Sequence, residues 1–397
     1  TSNSSVESWT YVGPEGIPVH GGAGRINRIK VDPSNPDHWY ACAPSGGLWH
    51  SMDAGNSWEV LGADVLAPLG ATDVWVDPGD SGHMWLATGD GNGGDTYSIG
   101  VLETWDGGDS WSPMELSFEP GQGRRIHAIS PHPNTSGSFL IASDLGVFKT
   151  TNGGQTFDLT ASGLTRDVIW VNDTCAIAAV ENQGILKTWD SGDTWTPVSL
   201  PNVNGLGRIQ IAGQSMSQTG IRDTLYAIGA QYLYSNFLGF WQSTDGGDTW
   251  NAQITNVTGP NLLGYTLTGV DNAGQAFWDL CIEVDPNDAS RVLVGGVNIW
   301  ETTDAGQSWS CPIHWQGALE AHYAHADQHD ITFLNNGDVV LANDGGVFVW
   351  DGADVEDRSE GLEITQGYAV ALNPHVQGQW LVGTQDNGTN LMKNLWN

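Results

Sequence analysis

Positive charge is scarce in this chain of 397 residues: 13 Lys plus Arg stand against 46 Asp plus Glu, for a net charge of −33. A surface so acidic repels polyanions, which excludes nucleic acid and anionic membranes as partners. It is compatible with calcium binding, with a saline habitat or with solubility alone. Long apolar runs are also missing. No stretch reaches the roughly 18 apolar residues that a membrane-spanning helix needs, and no segment holds a helical period, so membrane insertion is excluded too. Cysteine is rare, and Cys42, Cys175, Cys281 and Cys311 lie far apart without metal-binding spacing. Cys42 and Cys175 sit in strand-like runs as small apolar residues. A Cys281–Cys311 disulfide stays open as an alternative, although it would have to join the first and last strands of one sheet. The chain opens on Thr1 and not on Met, which leads us to expect a secreted or cell-surface protein whose leader has been removed.

Glycine (53) and tryptophan (20) are abundant, and one phrase accounts for much of both. Ser51-Met52-Asp53-Ala54-Gly55-Asn56-Ser57-Trp58 returns as Thr104 to Trp111, Thr150 to Phe157, Thr188 to Trp195, Ser243 to Trp250 and Thr302 to Trp309. The third position is Asp53, Asp106, Asn152, Asp190, Asp245 or Asp304. A carboxylate or amide there accepts backbone N–H groups, the glycine permits a left-handed turn, and the aromatic plugs an apolar layer. Short β-rich runs flank each copy, so the phrase joins two strands of a hairpin. Six copies mean one supersecondary unit repeated.

These octapeptides resemble the Asp-boxes (BNR repeats) of the β-propellers in sialidases, xyloglucanases and sortilin. The resemblance implies an all-β fold: a single propeller of four-stranded antiparallel blades over residues 1–397. A strand, an Asp-Pro type turn such as Asp32-Pro33, a second strand, a glycine link, a third strand, the octapeptide and a fourth strand make one unit. Counting units gives eight blades with boundaries near residues 66, 118, 162, 202, 258, 314 and 360, with seven as the fallback. A fragment of a longer two-propeller protein is a further alternative. In the eight-blade count, Ser8–Gly13 supplies the last blade's fourth strand and closes the ring, which removes exposed sheet edges. Asn256 to Gly274 reads as a long face loop.

In such a ring the octapeptides occupy one face, and the links from fourth to first and from second to third strands occupy the other, where the channel opens. Ligand-binding candidates on that face are Arg25, Arg124, Arg125, Arg208, Trp278 and Tyr368. His325, Asp327 and His329 alternate, so on one strand they would share a face about 7 Å apart, as a transition-metal or acid–base set would. Asp90, Asn92 and Asp95 suggest an oxygen-rich calcium loop without the closing Glu of an EF-hand. Carboxylates available for glycoside hydrolysis are Asp327, Asp344, Asp386 and Asp144.

Two family signatures are absent. Sialidases would show Arg-Ile-Pro where this chain reads Arg25-Ile26-Asn27. Xyloglucanases would carry a catalytic Asp before Ile-Gly-Gly in the first blade, where Pro44-Ser45-Gly46-Gly47 stands. The expectation is therefore a non-catalytic module that binds a glycan or protein at the channel mouth, with no certain cofactor beyond calcium. The alternatives are a glycoside hydrolase using channel-mouth carboxylates and a subunit that self-assembles into a surface layer or fibre.

Overall fold

Runs of alternating or wholly apolar residues bounded by glycine and Asp-Pro turns fold as strands in the computed structural model, which describes residues 21–62, 70–214, 216, 220–233, 235–317 and 321–393. The sole helical element among the described residues is a 3-10 turn, Pro120–Gln122. Each sheet is an antiparallel meander in chain order. In the first, Arg28–Asp32, Asn35–Ala43, Gly47–Ser51 and Glu59–Val60 pair in succession. Eight such sheets are present, seven of four strands and a last one of three: Gly367–Leu372, Gln379–Thr384 and Thr389–Lys393. The all-β propeller expected from the repeats is thus the observed fold.

The ring itself closes over seven sheets. Their inner strands, from Arg28–Asp32 in the first to Gln328–Phe333 in the seventh, pack each on the next, and the seventh returns to the first. There Asp330 Oδ2 accepts the Ile29 N–H at 2.9 Å. The two sheets also share an apolar core that includes Trp39, Ala41, Val340, Val347 and Ile364. Similar repeats cannot say which sheet meets the first; the flanking side chains do. The eighth sheet stands beyond the ring, with every residue of its first strand exposed. Ser8–Gly13 lies outside the described residues.

All six octapeptides form the same turn. In the first, Ser51 Oγ donates to Asp53 Oδ1 at 2.8 Å and accepts the Gly55 N–H at 2.8 Å, while Asp53 Oδ1 accepts the Ser57 N–H at 2.8 Å. Trp58 is buried and donates its indole N–H across to the Arg358 carbonyl of the seventh sheet at 2.7 Å. One tryptophan thus joins two sheets, and burying such a side chain contributes about 1.5–3 kcal/mol. The four cysteines are buried and unpaired. Asn256 to Gly274 is the expected loop, pinned by Asp271, which accepts the Thr266 N–H and the Ala273 N–H.

Candidate functional site at the channel mouth

The eighth sheet reaches back to the ring through its second-to-third link, Gln385–Gly388. Asn387 is buried there; its Nδ2 donates to the Asp344 carbonyl at 2.9 Å and its Oδ1 accepts the Gly22 N–H. Only glycine fits the contact beneath: a Cβ on Gly22 would lie 2.2 Å from the Gly345 Cα, and one on Gly345 would lie 2.4 Å from the His325 Cβ. This docking brings Asp386 beside Asp344, the corresponding link residue of the seventh sheet. Asp327, at the entry to the seventh inner strand, completes the group. Carboxylate oxygens of Asp327, Asp344 and Asp386 lie within 4.8 Å of one another.

Neutral donors surround Asp344, which is fully buried. His329 Nε2 donates to its Oδ1 at 2.7 Å, and Trp278 Nε1 and Gln385 Nε2 each donate to its Oδ2 at 2.9 Å. Burial pushes the Asp344 carboxyl up to about 7, with the charge of Asp386 and a hydrogen bond to it acting in the same direction. Asp327 rises to about 6 through burial and the nearby Asp344. His329 is driven down to about 3 by burial and by Arg25, so the ring is neutral. It carries its proton on Nε2, because Nδ1 accepts from Asn92 Nδ2 at 3.0 Å while Asn92 Oδ1 accepts from Arg208 at 2.8 Å. Burial thus favours the protonated form of Asp344, beside Asp386 at the mouth. Of those two, Asp386 is exposed.

Other expected residues are committed elsewhere. Arg25 is buried: it pairs with Asp90 at 2.7 Å and Asp95 at 3.0 Å and stacks 4.2 Å over Trp278. Arg208 is also buried and donates to the Ala276, Trp278 and Leu280 carbonyls. Arg124 faces Asp144 at 3.5 Å, which places Asp144 apart from the cluster. Arg125 lies against Gly94. Tyr368 is exposed, and burial followed by the charges of Asp95 and Asp386 raises its phenol.

The loop Asp90–Asp95 does not offer a calcium cradle. Asp90 Oδ1 accepts from Asn27 and from the Asn92 and Gly93 N–H groups, and its Oδ2 accepts from Arg25 and the Asp95 N–H. Burial opposes the charge of Asp90, but Arg25 and these donors outweigh it and hold the carboxyl far below the usual range. The guanidinium stands where a cation would sit. Nor do His325, Asp327 and His329 share a strand face: the strand begins at Gln328, and Asp327 has φ 67°, which breaks the alternation.

Gln385 and Asn387 were not apparent from sequence. The available signal was positional, since Gln385 and Asn387 flank Asp386 in the link that carries Asp344 in the sheet before.

No family model matches the chain. The curated relatives it matches are xyloglucanases. It is 23% identical over 359 aligned residues to one from Paenibacillus sp, which covers 78% of this chain and 33% of that protein. It is 23% identical over 424 aligned positions to one from Hypocrea jecorina, covering 93% and 47%. The GH74 xyloglucanase structure from Xanthomonas campestris superposes with a TM-score of 0.67 at 16% identity, covering 94% of this chain and 59% of that one. The chain therefore spans one third to about half the length of these two xyloglucanases. These likenesses overturn the expectation of a non-catalytic binding module and favour the hydrolase alternative. The first-sheet link still departs from the xyloglucanase pattern, because Pro44-Ser45 brings no carboxylate there.

Proposed function

We propose that this chain is part of a glycoside hydrolase that cleaves a β-glucan of the xyloglucan type at the channel mouth. The observation that carries this reading is the cluster of Asp327, Asp344 and Asp386, in which burial raises Asp344 to about 7 beside exposed Asp386. Asp386 donates the proton to the leaving glycosidic oxygen. Asp344 positions and loads it, and Asp327 adds charge that keeps the proton bound. Such an acid contributes about 10²–10⁴-fold to rate. A polymeric substrate places the protein outside the cell, consistent with the absence among the described residues of a helix long and apolar enough to cross a membrane. The six octapeptide turns are read as Asp-boxes, and they serve as scaffold.

The test compares leaving groups. Asp386→Asn should lose about 10²–10⁴-fold on xyloglucan but much less on an aryl β-cello-oligosaccharide whose phenol leaves without protonation. Equal losses on both substrates would remove the acid assignment.

A further inference from the structure

Hydrolysis of a glycoside needs two carboxyl groups, set about 5–5.5 Å apart in retaining enzymes and about 6.5–9.5 Å apart in inverting ones. Asp327, Asp344 and Asp386 each offer an oxygen within 4.8 Å of the others, and Asp344 has both oxygens taken by His329, Trp278 and Gln385, so the cluster is assigned the acid alone. The other half has to be a carboxylate with an unoccupied oxygen facing the mouth. Asp90 is buried with both oxygens filled. Asp279 is buried, and burial followed by Asp327 raises it well above the usual range. Glu181 is tied to Arg166 at 2.8 Å.

Resting on the hydrolase reading above, we infer that Asp95 is the second catalytic carboxylate, the base that activates water. Its side chain is 36% exposed. Arg25 at 3.0 Å and Gln366 Nε2 at 3.0 Å both bind Oδ2, which fixes the carboxylate and leaves Oδ1 without a donor among the described residues. Gln366 also donates to Ser45 Oγ at 2.9 Å. Asp95 thus occupies the space beside the first-sheet link, which has no carboxylate of its own. Between Asp95 and Asp344 stand the Arg25 guanidinium and the Trp278 indole, stacked at 4.2 Å, with the indole N–H on Asp344. Exposed Tyr368 feels the charges of Asp95, Asp386 and Asp344 together, so the three carboxylates neighbour one exposed phenol.

In the reaction, a water on the Asp95 side gives one proton to Oδ1 as its oxygen bonds to the anomeric carbon. The glycosidic C–O bond breaks, and the departing oxygen takes the proton of the Asp344–Asp386 pair. No other reactant is needed.

The test uses the full-length protein with xyloglucan and an aryl β-cello-oligosaccharide. Asp95→Asn should lose about 10³-fold in kcat on both substrates. Azide should restore turnover of the aryl glycoside, releasing a glycosyl azide, in this variant but not in the wild type. Arg25 keeps its buried partner Asp90, so folding should survive; Asp95→Gly, also rescued by azide, guards against an effect of the amide. An Asp95→Asn enzyme within threefold of wild type, alongside an inactive Asp386→Asn, overturns this inference and leaves the hydrolase reading standing. Loss without azide rescue and with a lowered melting temperature marks Asp95 as structural and also overturns it. A wild type that cleaves no β-glucan removes both.

Discussion

Asp344 and Asp386 are 42 positions apart in sequence and belong to different sheets, yet the charge of Asp386 helps to raise Asp344. Because the proton has to be present for leaving-group departure, kcat/KM on xyloglucan should fall above about pH 7, where Asp344 loses it. Removing the opposing charge in Asp327→Asn should move that basic limb downward, since Asp327 and Asp344 repel one another. A pH–rate profile checks both, and a limb unmoved in Asp327→Asn would show the pair to be set by burial alone. The carboxylates themselves were legible from sequence as link and strand-entry residues. What escaped was which of them meet. The calcium reading of Asp90–Asp95 failed because an oxygen-rich loop looks the same in sequence whether a metal or a guanidinium fills it, and Arg25 lies 65 residues away from Asp90. The metal reading of His325, Asp327 and His329 failed because it assumed a strand where Asp327 turns left-handed.

Each octapeptide is built on a set of local hydrogen bonds, and its first residue is the hub. Ser243 is fully buried, donates to Asp245 Oδ1 at 2.8 Å and accepts the Gly247 N–H at 2.8 Å. Ser243→Ala strands a buried N–H, so it should cost about 1–3 kcal/mol and lower the melting temperature while leaving kcat unchanged. An altered kcat would mean that the turn face is coupled to the mouth. These elements were the most legible part of the molecule, because the bonds among the first, third, fifth and seventh residues fall within the phrase. The closure of the ring was not legible. It depends on contacts spanning some three hundred residues, such as Asp330 to Ile29 and Trp58 to Arg358.

Two populations of carboxyls set the stability of the whole molecule. In the turns, hydrogen bonds from Ser110 and Thr194 lower Asp106 and Asp190 to about 2. Their contribution is present above the unfolded value near 4 and is lost as pH falls toward 2. In the channel and mouth, burial raises Asp167 and Asp327 to about 6 and Glu283 and Asp344 to about 7. Their contribution is full below about 4 and is lost as pH rises to 7, in the same direction as repulsion from a net charge of −33. The melting temperature should therefore peak between about pH 4 and 5 and decline toward pH 8; a maximum above pH 7 would contradict the buried-carboxyl assignment. The closure of the ring has a further consequence. A chain ending at residue 365 should keep the seven-sheet ring and its cooperative unfolding, yet have no activity, because Asp386 and Asn387 go with the eighth sheet. The most direct test of the central claim is release of reducing ends from xyloglucan by the full-length protein and its Asp386→Asn variant near pH 5. Wild-type hydrolysis with a loss of about 10²-fold or more in the variant is the expected result, and a wild type without hydrolysis, or a variant as active as wild type, would contradict it.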